Sequence, residues 1–151
     1  MPIQMFMRRH FADIPVAQID SFFGFTTDRS TLYGGRIYGG TELSAYDLKS
    51  MYGMGIGLRL PLTNHDASPE EYAANVPMLE KHHRPGNSII VTNDNLARWI
   101  RRDFPGYRLE ASVIKNIDSL AKIEKAAGIY DSIILPMSAN EDEAFLASIG
   151  N

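Results

Sequence analysis

The chain has 151 residues, 44% of them hydrophobic and 22% charged, which suits one globular domain able to bury a core without metal or disulfide staples. A net charge of −3 argues against a nucleic-acid surface carried by overall charge. The absence of cysteine excludes disulfides, thiolate metal sites, iron–sulfur ligation and cysteine nucleophiles within the chain, and no cofactor is expected.

Residues 1–12 carry Arg8, Arg9 and His10 and no apolar run long enough for a signal peptide. No stretch approaches the roughly 20 apolar residues of a membrane helix, so a cytoplasmic, non-membrane protein is the expectation. Residues 14–25 are apolar with one acid, Asp20, and predict a first strand at 16–22. The polar stretch 26–40 holds two turn signals, Gly34-Gly35 and Gly39-Gly40. Thr41 is the expected cap of a helix running to about Tyr52, with Leu48, Met51 and Tyr52 on its apolar stripe.

From Gly55 onward one unit recurs: a short apolar strand, a polar strand end, then a capped helix. Strands are predicted at 56–63, 88–92, 108–113 and 131–136, and helices at 69–82, 94–103, 118–127 and 141–149. Ser68-Pro69-Glu70-Glu71 is a capping box with proline at the first helical position. Pro77 lies inside the same helix and predicts a kink or break near 74–76. Asn93 or Asp94 caps the next helix, Asp118 the third, and Asn140 with Glu143 the last, which should end at Gly150. No linker divides the chain, so residues 1–151 read as a single domain.

Strand parity sorts the faces. Leu58, Leu60 and Leu62 alternate with Arg59, Pro61 and Thr63, and Leu109, Ala111 and Val113 alternate with Glu110 and Ser112. The leucines suit packing under helices, leaving Arg59 and Glu110 on the opposite face. One charge of each sign in that position predicts a partly buried ion pair.

Strands alternating with helices predict an α/β fold: a parallel sheet of about five strands with helices on its outer face, a half or incomplete TIM-type barrel. Reacting groups of such folds gather at the carboxyl ends of the strands. Those ends here are small and polar, with Asn64, Thr92 and Ser112 as hydrogen-bonding groups and Arg36 and Lys115 as anion contacts. Helix caps and turns require the same residue types, so each has a plain structural reading as well. Gly34-Gly35-Arg36 could gather backbone N–H groups and a guanidinium around an anion. His65 beside Asp66 is a candidate base with its carboxylate, and His82-His83 a candidate metal pair lacking a third ligand. Arg98, Arg101, Arg102 and Arg108 read as a solvated basic face.

Several runs resemble a known family: Ser21-Phe22-Phe23-Gly24, Gly34-Gly35-Arg36, Arg59-Leu60-Pro61-Leu62-Thr63-Asn64 and Asn87-Ser88-Ile89-Ile90-Val91-Thr92-Asn93. With 96–105 and Leu109-Glu110-Ala111-Ser112, their order is similar to the N-terminal half of bacterial (β/α) barrel proteins related to the peptidase U32, or collagenase-like, family. The likeness spans about 20–149. It implies the barrel-like fold and a rim holding Arg36, Asn64 and Ser112. That family is linked to protein degradation and, in several members, to RNA or quinone-precursor hydroxylation. The hydroxylating members use cysteines beyond the matched region, and this chain has none.

Two function classes follow. One is an enzyme or enzyme half binding a small polar or anionic ligand at the strand carboxyl ends. The other is a non-catalytic binding or assembly module. A bare sheet edge and a helix-free face must be covered by something, and a homo-oligomer is the expectation.

Overall fold

Leu58, Leu60 and Leu62 are each at most 1% exposed, while Arg59 between them stays partly open to solvent. That alternation governs the whole molecule, which a computed structural model describes for residues 2–36, 40 and 42–149. Five strands form one sheet: β1 (Ser21–Phe23), β2 (Gly57–Leu62), β3 (Ser88–Val91), β4 (Arg108–Ala111) and β5 (Ser132–Ile133). They lie in chain order and every neighbouring pair is parallel. The fold is α/β, as the strand–helix alternation predicts.

The helices are α1 (Ile3–His10), α2 (Ala45–Gly53), α3 (Pro69–His82), α4 (Asp94–Asp103), α5 (Leu120–Ala127), α6 (Met137–Asn140) and α7 (Glu143–Ile149). Crossovers between parallel strands are right-handed, so strands added always on the same side place their connecting helices on a single face. The core forms between that face and the helices, around Leu60, Met51, Leu79, Ile89, Ile100 and Leu109. The other face carries Arg59, Pro61, Thr63, Ile90 and Ser112 and lines open cavities instead of helices.

Capping chemistry sets most helix starts. Ser68 and Glu71 close a full capping box, and Asn93 accepts the Leu96 N–H. Elsewhere the boundaries differ from expectation. The helix predicted from Thr41 begins at Ala45, where Ser44 and Asp47 make a second capping box. Thr41, Gly39 and Gly150 lie outside the described residues. Residues Val16–Gln18 form a 3-10 turn after Pro15, so the first strand starts only at Ser21. Helix α5 starts after Ser119, not at Asp118, whose carboxylate binds Lys122 instead. The last helix starts at Glu143 and not after Asn140, with Asp142 accepting the Phe145 N–H, and the short α6 occupies a stretch expected to be a strand end.

Helix α3 runs without interruption through Pro77. Tyr72, Asn75, Met78, Leu79 and His82 are all buried on that helix, and such packing outweighs the ~3 kcal/mol a mid-helix proline costs. Helix α1 is absent from the elements read off the sequence, although Ile3, Phe6 and Met7 stand at helical spacing. It is anchored by burial of Ile3 and Met7 and by the Ile3 N–H donating to Asp47 at 2.8 Å. No helix among the described residues is long and apolar enough to cross a membrane.

Candidate functional site

The carboxyl end of β2 is built onto a short loop. Asn64 donates its backbone N–H to Leu32 at 3.0 Å and its side-chain amide to the Thr31 carbonyl at 3.1 Å. Thr63 donates its hydroxyl to the Tyr33 carbonyl at 3.4 Å. Gly34 then turns with φ of +73°, a conformation that costs glycine little. It also packs so tightly that a Cβ there would stand 3.0 Å from the Thr63 carbonyl oxygen. The loop is therefore stapled over the strand end, and it delivers Arg36 to a cavity of about 290 Å³.

That cavity opens on the helix-free face between Phe23, Arg59, Thr63, Ile90, Ser112 and Ile134, with Arg36 at its wall. At about 30 Å³ per water it holds roughly ten water volumes, suiting a small ligand. Arg36 makes no ion pair with any described carboxylate. Ser112 is 3% exposed. Its hydroxyl accepts the Ile114 N–H at 3.3 Å, and among the described residues its own proton has no acceptor. A cation, a hydroxyl donor and an apolar lining thus converge on one opening.

Arg59 forms the floor. Its Nε donates to Glu110 Oε1 at 3.1 Å and its Nη2 to Glu110 Oε2, and Ser88 donates to Oε1 at 2.5 Å. The ion pair expected from strand parity is present. Its hydrogen bonds to Glu110 hold the guanidinium still more firmly protonated than usual. Below it, at the amino ends of the strands, lies a larger cavity of about 650 Å³ that Arg59 also lines.

Of the five residues singled out in the sequence, Arg36 and Ser112 meet in the upper cavity. Asn64 serves as the staple described above, with its Oδ1 also accepting the Asp66 N–H at 3.0 Å. Thr92 follows β3 on the same strand parity as Ile90. It is buried, and its Oγ1 is without a hydrogen-bond partner among the described residues. Lys115 turns to a different place. Its Nζ donates to the Thr92 carbonyl at 3.0 Å and to Asp94 at 2.7 Å, beside a cavity of about 200 Å³ shared with Lys122 and Lys125. Burial pushes the Asp94 carboxyl up, but hydrogen bonds from Lys115 and Tyr130 outweigh it and hold it below the usual range. Burial and the acceptor Asp94 both push the Tyr130 phenol up.

The histidine candidates separate. His82 is buried and bonds Asp28 at 2.7 Å, while His83 accepts the Gly106 N–H at 3.0 Å. No group of acids and histidines among the described residues could hold a metal ion. No hydrogen bond joins His65 to Asp66; the His65 carbonyl accepts from Asn93 at 2.7 Å. Two of the four arginines of the basic face are neutralised, Arg101 by Asp131 and Arg102 by Asp103.

Thr63 and Arg59 are members of the upper site that sequence reasoning left out of it. The signal was there: both share the parity of Pro61 on the face turned away from the leucines. Comparison with family models, with curated proteins and with solved structures found no match to this chain.

Proposed function

We propose that this chain binds a small anionic ligand at the carboxyl ends of its strands, with the Arg36 guanidinium as the anion contact and the Ser112 hydroxyl as a donor. The observation that carries this reading is the Gly34 staple, which holds an arginine without an ion-pair partner among the described residues over an opening of about 290 Å³. The Arg59–Glu110 floor is neutral as a pair, so the charge of the opening comes from Arg36. In this reading the chain is a barrel-type relative of the peptidase U32-like proteins, working in the cytoplasm. The ligand-binding rim is the part it shares with them.

The test is titration of the full chain with inorganic phosphate and with succinate, followed by amide chemical shifts. The expected result is saturable movement at Gly35, Arg36, Ser112 and Ile114. Arg36→Ala should weaken binding about tenfold or more, the loss of one charge-assisted contact. Unmoved amides, or an affinity indifferent to Arg36→Ala, would refute it.

A second reading has its own observation. Phe23, Val113 and Ile114 are 54%, 45% and 44% exposed around the helix-free face. Apolar side chains gathered at an uncovered sheet face favour an assembly module that pairs with a second copy. Sedimentation at the 16.9 kDa of a single chain, across the accessible concentration range, would end that reading.

A further inference from the structure

A further cavity, of about 330 Å³, opens beside α1 and shares no lining residue with the Arg36 cavity. Met7 and Phe11 line it one helical turn apart, and the Phe11 N–H donates to the Met7 carbonyl at 2.8 Å. Past Phe11 the chain runs through two hydrogen-bonded turns. The Ile14 N–H donates to the Phe11 carbonyl at 3.1 Å and the Gln18 N–H to the Pro15 carbonyl at 2.9 Å. Ile14 and Val16 reach the cavity from these turns and stay 41% and 39% exposed. Helix α1 packs on α2, whose C-cap residue Met54 supplies another apolar wall.

Against these apolar walls stands one cation. Arg8 lines the cavity, as does Gln4 one turn earlier on the same helix face. Neither side chain has a hydrogen-bond or ion-pair partner among the described residues. No acid is among the described residues that line the cavity, so the Arg8 charge is uncompensated there. Small-molecule sites of roughly 300–1,000 Å³ share this make-up, mostly apolar with a few polar groups that fix orientation. A methylene is about the size of a water, so an alkyl chain of roughly eight to ten carbons fills the space. The thioethers of Met7 and Met54 adapt readily to such a flexible chain.

We propose that this cavity binds a medium-chain alkyl carboxylate, its head held by Arg8 and Gln4 and its chain laid along Met7, Phe11, Ile14 and Met54. A guanidinium grips a carboxylate through two parallel N–H donors, and the Gln4 amide adds a third. Met7 is only 6% exposed, within reach of a single inserted chain but not of a flat bilayer surface. The site does not depend on the function proposed for the Arg36 cavity.

Methionine methyl signals of the full chain test it, in titrations with octanoate and with acetate, octanol and anionic phospholipid vesicles as comparisons. Octanoate should move Met7 and Met54 saturably and leave Met78 and Met137 in place. Met137, 76% exposed, would report indiscriminate adsorption. Each step from hexanoate to octanoate to decanoate should tighten binding roughly fivefold or more, and acetate should not bind. Arg8→Gln should weaken octanoate about tenfold and leave octanol unchanged. Val16→Asp, which sets a like charge at the opening, should weaken octanoate more than octanol. Both positions are exposed, so the fold tolerates either change. The proposal is overturned if Met7 and Met54 stay still up to about 10 mM octanoate, or if Met137 moves with them. Equal octanoate affinity in Arg8→Gln would also overturn it. Movement with vesicles and none with octanoate would assign the basic end of α1 to a lipid surface and overturn the pocket.

Discussion

Removing either member of the Arg59–Glu110 pair should cost unequal amounts, and the inequality follows from burial. The Glu110 side chain is 9% exposed, whereas that of Arg59 is 32% exposed. Arg59→Ala leaves a nearly buried carboxylate with Ser88 as its remaining donor, and breaking a buried pair in this way costs about 3–5 kcal/mol. Glu110→Gln keeps an acceptor for Ser88 and strands a guanidinium that water still reaches, so a cost of about 1–2 kcal/mol is expected. For a chain of this length 1 kcal/mol shifts Tm by roughly 2–4 °C, so Arg59→Ala should melt roughly 6–20 °C lower. Urea unfolding of both variants and of the double variant measures the difference and the coupling. Equal costs, or a costlier Glu110→Gln, would refute the assignment of the pair as one-sidedly buried.

The remaining predictions concern acid stability, the loop and the core. Burial pushes the Asp28 carboxyl up, but hydrogen bonds from Lys81, His82 and Thr26 prevail and hold it at about 2. A depressed carboxyl stabilises the fold above its ordinary value of 3.8, and that contribution is lost as pH falls toward 2. Asp28→Asn should therefore flatten the stability–pH curve between about 4 and 2, as chemical denaturation across that range would show. Gly34→Ala, strained at positive φ and pressed on Thr63, should cost about 1–3 kcal/mol in urea unfolding and also weaken phosphate binding by displacing Arg36. Leu60→Ala, under the helices, should cost about 2–5 kcal/mol without moving either cavity, measurable by unfolding and by unchanged ligand titrations.

Much of the fold was legible because local chemistry and the global pattern agree in the second half of the chain. The bounds of α3 and α4 follow from Ser68-Pro69-Glu70-Glu71 and from Asn93, each the residue type its cap requires. The Arg59–Glu110 pair followed from parity alone, since a period of two leaves one face for each set of side chains. The first half was less readable. Residues 16–22 are apolar enough for a strand, but Pro15 presets a turn, and only Ser21–Phe23 reach β2. Helix α1 shows Ile3, Phe6 and Met7 at helical spacing, but the Asp47 contact that anchors its start lies 44 residues away and spacing does not disclose it.

The candidate site was legible only in part for a related reason. Polar residues at strand ends serve as both ligands and caps, and composition does not separate the two. Asn64 and Lys115 have their polar atoms engaged within the chain, whereas among the described residues Arg36 and Ser112 retain unengaged donors. The neighbour that decides each case lies dozens of residues away: Thr31 for Asn64, Asp94 for Lys115, Thr63 for the loop that carries Arg36.

A crystal structure grown with inorganic phosphate tests the central claim most directly. The account predicts phosphate within hydrogen-bonding reach of the Arg36 guanidinium and the Ser112 hydroxyl, in the opening between Phe23 and Ile134. Phosphate seated instead among Lys115, Lys122 and Lys125, with the Arg36 cavity holding water alone, would contradict it.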